Sequence, residues 1–136
     1  MSCPFCKLAG HEIIYQDDHC FGMVILEPLK DGHLMVVPKR HVESLDDLDK
    51  EESVAIMNLL GRFGKIMLEV YNEDPMILMN LGSHSTVAHI HLHILPSKGG
   101  LRDLYSTHEK ILFRTKATAE ERKKIGDKIR EKLEQK

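Results

Sequence analysis

The sequence predicts a protein of the α+β class, and three observations support this prediction. Five short runs of mainly apolar residues have the length and composition of strands, and one longer segment has helical periodicity. A charged segment near the C-terminus begins with the spacing of a capping box. With 136 residues, of which 42% are hydrophobic and 29% charged, the chain suffices for one domain with an ordinary core. We therefore expect a five-stranded sheet, one long helix and a C-terminal helix.

The first three strands are predicted near the N-terminus. Residues 12–16 and 20–26 are two apolar runs joined by the turn-prone pair Asp17-Asp18, a pattern typical of an antiparallel hairpin. A third strand is predicted over residues 33–38, where Pro38 marks a strand end or a sheet edge.

A long amphipathic helix is predicted from about residue 48 to residue 71, because apolar residues recur there at helical spacing. These residues are Ile56, Leu59, Leu60, Phe63, Met67 and Val70. Two further strands are expected after this helix, an apolar run at 76–80 and, beyond a polar loop, the segment 87–95.

The end of the chain is much more polar than the rest. Thr118 and Glu121 have capping-box spacing, and a narrow apolar stripe follows among acidic and basic residues. Such interleaved charge predicts a solvated helix rather than a nucleic-acid-binding arm. We expect residues 1–113 to form the domain and residues 114–136 to be a charged helix packed on it or extending from it.

Charge and composition narrow the classes of function. The formal net charge of −2 gives no global attraction for nucleic acid. No apolar run approaches the length of a membrane span, and the N-terminus, MSCPFCKLAG, lacks the basic start and apolar centre of a signal peptide. Three cysteines with one close pair are a poor disulfide framework. We expect a cytoplasmic protein that binds neither nucleic acid nor membranes.

The most informative motif is HIHLHIL, which contains His89, His91 and His93. Side chains on a strand alternate between faces, so these imidazoles should share one face while the aliphatic residues share the other. Two uses of such a cluster are open. The histidines can bind a metal ion with a free position for water, or one can act as a covalent nucleophile that its neighbours orient.

A short polar loop precedes the histidines. Residues 80–86, with the sequence NLGSHST, are rich in hydroxyl groups and backbone donors, a composition that cradles phosphate. An anion site beside imidazoles favours phosphoryl or nucleotidyl transfer. Two alternatives stay open: a metal-dependent hydrolase with all three histidines on zinc, and a non-catalytic nucleotide-binding module.

Two motifs together resemble those of the histidine-triad superfamily. HIHLHIL fits its triad pattern, and GHLMVVPKRH at residues 32–41 is similar to its second motif, a Gly-His, an apolar strand and then Pro-Lys-x-His. The resemblance covers roughly residues 3–97. It implies a five-stranded antiparallel sheet, a homodimer, and cleavage at the α-phosphate of a purine nucleoside phosphate derivative, such as a phosphoramidate or a dinucleoside polyphosphate.

The resemblance also implies roles for four histidines. His91 corresponds to the nucleophile that forms a nucleotidyl-imidazole intermediate, and the backbone carbonyl of His89 fixes its tautomer. His93 corresponds to a residue that contacts the phosphate or the leaving group, and His33 to one that orders the site. Neutral imidazole suits the nucleophilic role because its ordinary pKa is about 6.5.

The substrate-binding residues depart from the family pattern. The family has a ribose-binding acid about eight residues before the histidine of Gly-His; this position is Ile25 here, and Glu27 is the candidate replacement. A glutamine that contacts phosphate in many members is replaced by Ser85. Asn80 and Thr86 match polar positions of the phosphate loop.

The pair Cys3 and Cys6 forms a C-x-x-C motif, which by itself fits a redox pair, half of a zinc site or two free thiols. The resemblance implies that His41 and His89 complete a tetrahedral site with these thiols. Such a Cys2His2 site has no open position, so the zinc would be structural and would attach the N-terminal segment to the sheet.

Overall fold

The computed structural model describes residues 3–109 and 117–134. Within these ranges it contains a five-stranded sheet in which every neighbouring pair is antiparallel, in the order β1-β2-β3-β5-β4. The strands are β1 Glu12–Gln16, β2 Cys20–Val24, β3 Leu34–Pro38, β4 Pro75–Leu78 and β5 Leu92–Pro96. The helices are α1 Lys50–Tyr71, α2 Leu101–Glu109 and α3 Ala119–Glu134. These elements confirm the predicted fold class. No helix in the described ranges is long and apolar enough to cross a membrane.

The chain divides into two compact units, residues 1–100 and residues 101–136. The first contains the sheet and α1, and the second contains α2 and α3. The sequence patterns did not indicate α2. The predicted division between residues 113 and 114 lies outside the described residues, so it stays a prediction.

Helix α1 covers one face of the sheet. Val36 of β3 and Ile94 of β5 are fully buried in a cluster with Leu59 and Phe63 of the helix. The close approach of helix and sheet requires a glycine on β2, because a Cβ added at Gly22 would lie only 2.4 Å from Cζ of Phe63. The core of the first unit therefore lies mainly between the sheet and α1.

The opposite face of the sheet carries a smaller buried cluster. Its members are Phe5, Phe21, Met23, Met35 and Val37. Met35 lies opposite His93 in the register of β3 and β5, and directly opposed residues of an antiparallel pair share a face. The side chain of His93 therefore lies on the face that the N-terminal segment covers, away from α1.

The fifth strand is shorter than predicted. The prediction of strand over residues 87–95 is wrong in its first half, because β5 begins at Leu92. The β3 strand cannot continue the ladder there, since Pro38 has no N–H group to donate. The carbonyl oxygen of Pro38 instead accepts a hydrogen bond from Nε2 of His89, at 2.7 Å. Of the three triad histidines, only His93 lies within a strand.

Glu52 is a buried carboxylate that connects α1 to the segment after β3. It is 3% exposed and accepts hydrogen bonds from Nη2 of Arg40 at 2.6 Å and from the backbone N–H of Asp49 at 3.0 Å. Asp49 completes a capping box by accepting from the N–H of Glu52. The hydrogen bond from Arg40 is the largest cause that lowers the pKa of Glu52.

The Arg40→Ala variant is expected to be less stable than the wild type at pH 7, because Glu52 would keep a buried charge without its partner. A carboxylate with a lowered pKa stabilises the fold above its unfolded pKa, and this contribution disappears as the pH falls through the folded pKa. The difference in unfolding free energy between wild type and variant should therefore narrow as the pH falls below about 4.5, the ordinary pKa of a glutamate. Urea unfolding at several pH values checks this.

The matched control is Lys65→Ala, which removes an exposed charge from the same helix. It should change stability by less than about 0.5 kcal/mol at any of these pH values. A difference in unfolding free energy between wild type and Arg40→Ala that does not vary with pH would contradict the role given to Glu52.

Candidate active site and metal centre

His91 is held in one tautomer by its own segment. Its Nδ1 lies 3.0 Å from the carbonyl oxygen of His89. A carbonyl can only accept, so Nδ1 carries the proton and Nε2 of the neutral ring carries a lone pair. The ring is 6% exposed and packs against Phe5, with ring centroids 5.0 Å apart.

The small exposed part of His91 includes Nε2. In the described residues, no fully buried side-chain nitrogen or oxygen lacks a hydrogen-bond partner. Nε2 of His91 has no such partner in that part of the chain, so this atom is not fully buried. The atom that bears the lone pair is therefore the accessible one.

His93 and His33 form a hydrogen-bonded pair beside His91. Nε2 of His33 lies 2.9 Å from Nδ1 of His93, and the ring centroids of His91 and His93 are 5.2 Å apart. Burial, followed by the neighbouring charges of His91 and His33, lowers the pKa of His93 to about 4. Burial also lowers the pKa of His33. Both members of this pair are therefore neutral at pH 7.

The four ligands implied for zinc lie together. The ligand atoms of Cys3, Cys6, His41 and His89 are all within 4.8 Å of one another. Nδ1 of His89 is 3.3 Å from Sγ of Cys3, and Nδ1 of His41 is 3.2 Å from Sγ of Cys6. A tetrahedral zinc ion with bonds of about 2.3 Å to sulfur and about 2.0 Å to nitrogen separates such atoms by about 3.5 Å. The donor set and its spacing therefore fit zinc.

Both imidazoles of this cluster have the tautomer that a metal requires. Nε2 of His89 donates to the carbonyl of Pro38 at 2.7 Å, and Nε2 of His41 lies 3.3 Å from Oε1 of Glu43. Each ring therefore directs an unprotonated Nδ1 toward the thiols. Metal-binding histidines are usually oriented in this way, by a hydrogen bond from their other ring nitrogen. Burial lowers the pKa of His89, which also favours the neutral ligand.

The metal cluster and His91 are joined through one short turn. Pro4–Cys6 is a 3-10 helix that begins directly after Cys3, so it contains the second thiol. Phe5 of this turn is buried and contacts the rings of both His89 and His91. No sequence pattern indicated a role for Phe5. It lies between the candidate ligands Cys3 and Cys6, which could have suggested that a metal ion positions it.

The predicted phosphate-loop residues make no hydrogen bond to the triad imidazoles within residues 3–109. Asn80 and Ser85 line a small pocket of about 160 Å³ whose lining includes Glu43 and Ala88 but not His91. The hydroxyl of Ser85 donates to the carbonyl of Val87 at 2.6 Å, and Thr86 is exposed. None of the hydrogen bonds of residues 3–109 links Asn80, Ser85 or Thr86 to a triad imidazole.

A larger pocket of about 390 Å³ lies between the start of β1 and the end of β2. His11, Met23, Ile25 and Leu26 are among its lining residues. The ring of His11 is 6.0 Å from that of Phe5, which in turn covers His91. This pocket therefore lies near the accessible imidazole, and no pattern in the sequence had indicated it.

The predicted ribose contact, Glu27, lies in the loop after β2 and is exposed. It directly follows Leu26, which lines the 390 Å³ pocket and is itself 86% exposed. A cleft of about 710 Å³ lies between the β1–β2 hairpin and α1, with Tyr15 and Arg62 in its lining. None of the triad histidines lines this cleft, so its size alone does not make it the active site.

The comparison with known protein families agrees with this geometry. A family model described as the HIT domain matches residues 9–100. The chain belongs to the HIT family. This confirms the resemblance seen in the two histidine motifs. The matched region contains the triad, His33 and His41, whereas Cys3 and Cys6 precede it.

Curated HIT relatives include two nucleotide hydrolases. The adenosine 5′-monophosphoramidase of Saccharomyces cerevisiae is 30% identical over 104 residues, which cover 71% of this chain and 63% of the yeast protein. The bis(5′-adenosyl)-triphosphatase of Dictyostelium discoideum is 34% identical over 90 residues, 64% of this chain and 60% of that protein. The chain thus spans less than two thirds of the length of either relative.

Solved HIT structures share the fold. A Zn-bound histidine triad family protein from Mycobacterium smegmatis has a TM-score of 0.66 at 30% identity and covers 89% of this chain and 87% of its own. A HIT family protein from Bacillus subtilis has a TM-score of 0.74 at 23% identity, with 96% of each chain covered. Because the identity is only 23%, the match to the Bacillus subtilis protein shows a shared fold and nothing more.

Proposed function

We propose that this protein is a nucleotide hydrolase or transferase that cleaves at the α-phosphate through a covalent intermediate on His91. The observation that carries the proposal is the fixed tautomer of His91, whose accessible Nε2 bears the lone pair. The names of the yeast and Dictyostelium relatives support nucleoside phosphoramidates and dinucleoside polyphosphates as the substrate class.

The proposed reaction has two displacements. In the first, Nε2 of His91 forms a bond to the α-phosphorus while the bond from phosphorus to the leaving amine or phosphate breaks. His93 donates a hydrogen bond to the leaving group or to a phosphate oxygen, and His33 orients His93. In the second displacement, water or another acceptor bonds to the same phosphorus while the bond from phosphorus to Nε2 breaks. The acceptor's proton passes to the solvent, the nucleotidyl product leaves, and neutral His91 is restored.

We place the nucleoside in the 390 Å³ pocket near Phe5 and His91. Glu27 follows the pocket residue Leu26 and is the proposed ribose contact. It would take the role of the family's ribose-binding acid, whose position is occupied by Ile25 in this chain. Asn80, Ser85 and Thr86 are proposed to contact phosphate after their loop moves toward His91. The homodimer, the cytoplasmic location and the absence of nucleic-acid binding stay predictions.

We further propose that zinc on Cys3, Cys6, His41 and His89 has a structural role. All four ligand positions are provided by the protein, and this arrangement leaves no position for substrate. The alternative with the three triad histidines on one ion receives no support from the geometry. Both nitrogens of His89 are already committed, Nε2 to Pro38 and Nδ1 to the thiols.

Trapping the intermediate tests the proposed reaction. The protein is mixed with adenosine or guanosine phosphoramidates, or with dinucleoside polyphosphates, and denatured rapidly before mass spectrometry. We expect a mass increase of one nucleotidyl group on the peptide that contains His91, and release of the nucleoside monophosphate at steady state. An adduct on another residue would contradict the assignment, and binding without turnover of any of these substrates would favour a nucleotide-binding module.

A further inference from the structure

Three groups form a continuous hydrogen-bonded chain that ends at the active site. The backbone N–H of Leu29, in the loop between β2 and β3, donates to Nδ1 of His33 at 3.1 Å. Nε2 of His33 lies 2.9 Å from Nδ1 of His93. No other hydrogen-bond partner of either imidazole lies within residues 3–109 or 117–134. The chain therefore connects a loop amide to a histidine beside His91.

The hydrogen bond from Leu29 determines which ring nitrogen carries the proton in His33 and in His93. A backbone amide can only donate, so Nδ1 of His33 must be unprotonated. Neutral His33 therefore carries its proton on Nε2 and donates it to Nδ1 of His93. Neutral His93 must then carry its own proton on Nε2. By the same reasoning as for His91, this atom is not fully buried.

The amide of Leu29 is held in place by a fixed turn. The N–H of His33 donates to the carbonyl of Lys30 at 3.2 Å, and Gly32 has a φ of +89°, as in a type II turn. Any side chain at Gly32 would collide with Tyr71, because a Cβ would lie 2.7 Å from its ring. An ion pair of 2.8 Å between Lys30 and Glu73 also anchors the loop.

We propose that the backbone amide of Leu29 is a positioning group that sets the tautomer of His93 through His33. Nε2 of His93 then presents an N–H donor toward the space in front of His91. The side chain of Leu29 has no part in this role, since it is 80% exposed. That the donor serves the leaving group or phosphate rests on the proposed function, whereas the tautomer itself does not.

The tautomers can be measured directly by NMR of protein labelled with ¹⁵N in its histidine rings, without substrate. We expect the Nε2–H form for both His33 and His93 in the wild type at pH 7. Replacing Leu29 by its α-hydroxy acid removes the N–H and keeps the side chain, and Leu29→Pro removes the same donor by ordinary mutagenesis. In both variants His93 should become a mixture of tautomers, and kcat should fall roughly threefold to tenfold with little change in KM.

Two variants serve as controls. Leu29→Ala keeps the amide and should keep the wild-type tautomer of His93. Asp31→Pro introduces proline into the same loop at the position of a type II turn where proline is favoured, and should leave tautomers and kcat unchanged. An equal loss of kcat in Leu29→Pro and Asp31→Pro would overturn the proposal, because it would show a general response to loop distortion.

The NMR result also separates this proposal from the proposed function. An Nδ1–H form of His93 in the wild type, or an unchanged tautomer in the α-hydroxy acid variant, would overturn the relay even in an active enzyme. The expected tautomers in a protein that turns over no nucleotide would support the relay and refute the hydrolase. The wild-type measurement remains decisive even when a variant does not fold.

Discussion

The His91→Ala variant is expected to lose turnover of nucleoside phosphoramidates and dinucleoside polyphosphates by at least about 10³-fold. Alanine removes Nε2, the atom proposed to bond to phosphorus, while the segment keeps its position through the ring of His89. Because His91 is proposed to act mainly in the transition state, nucleotide affinity and zinc content should change little. Steady-state kinetics, equilibrium binding and metal analysis on the same preparation check these three quantities.

The matched control is His19→Ala, which removes a half-buried imidazole from the turn between β1 and β2. This variant should form the nucleotidyl adduct and turn over substrate at nearly the wild-type rate. Wild-type rates in His91→Ala would refute the assignment of the nucleophile. Loss of zinc or of the folded state in His91→Ala would instead show that the residue supports the structure.

The Cys3→Ser, Cys6→Ser double variant is expected to lose its zinc and about 4 kcal/mol of stability. The figure is smaller than the binding free energy of a zinc finger, because this chain has a separate core between the sheet and α1. For a chain of this length the melting temperature should fall by roughly 12 °C. Metal analysis and thermal unfolding with and without a chelator provide the measurements.

Cys20→Ala is the control for the thiol substitutions. Cys20 is fully buried in the core on β2 and lies outside the metal cluster, so this variant should keep its zinc. Retention of stoichiometric zinc by the double variant would show that the ion is bound elsewhere. It would revive the hypothesis that the triad histidines hold a catalytic metal.

Much of the fold could be predicted from local patterns. The hairpin of β1 and β2 and the helix α1 follow from alternation, turn residues and helical periodicity, which act over a few neighbouring residues. The start of β5 could not be predicted in this way. It depends on a tertiary contact, the hydrogen bond from the ring of His89 to the carbonyl of Pro38, which replaces a backbone ladder. Helix α2 was missed because its segment has a mixed composition without a clear boundary signal.

The site could be predicted only in part, for a similar reason. The histidine motifs identified the residues that the sheet and the N-terminal turn bring together. The hydrogen-bond partners of the site histidines, such as Glu43 and the backbone amide of Leu29, could not be predicted from the sequence. Exposed acidic residues are common, and any residue except proline can supply a backbone N–H. The predicted phosphate loop shows the opposite case, since the hydroxyl of Ser85 suits phosphate binding but donates to the backbone carbonyl of Val87.

His89 links two chemistries through adjacent atoms of one residue. Its ring faces the thiols, while its carbonyl oxygen accepts a hydrogen bond from Nδ1 of His91. The metal cluster constrains the side chain at this position, whereas the hydrogen bond from His91 constrains only the backbone conformation there. Removal of the N-terminal thiols would therefore release the constraint on the ring of residue 89 and leave the constraint on its backbone in place.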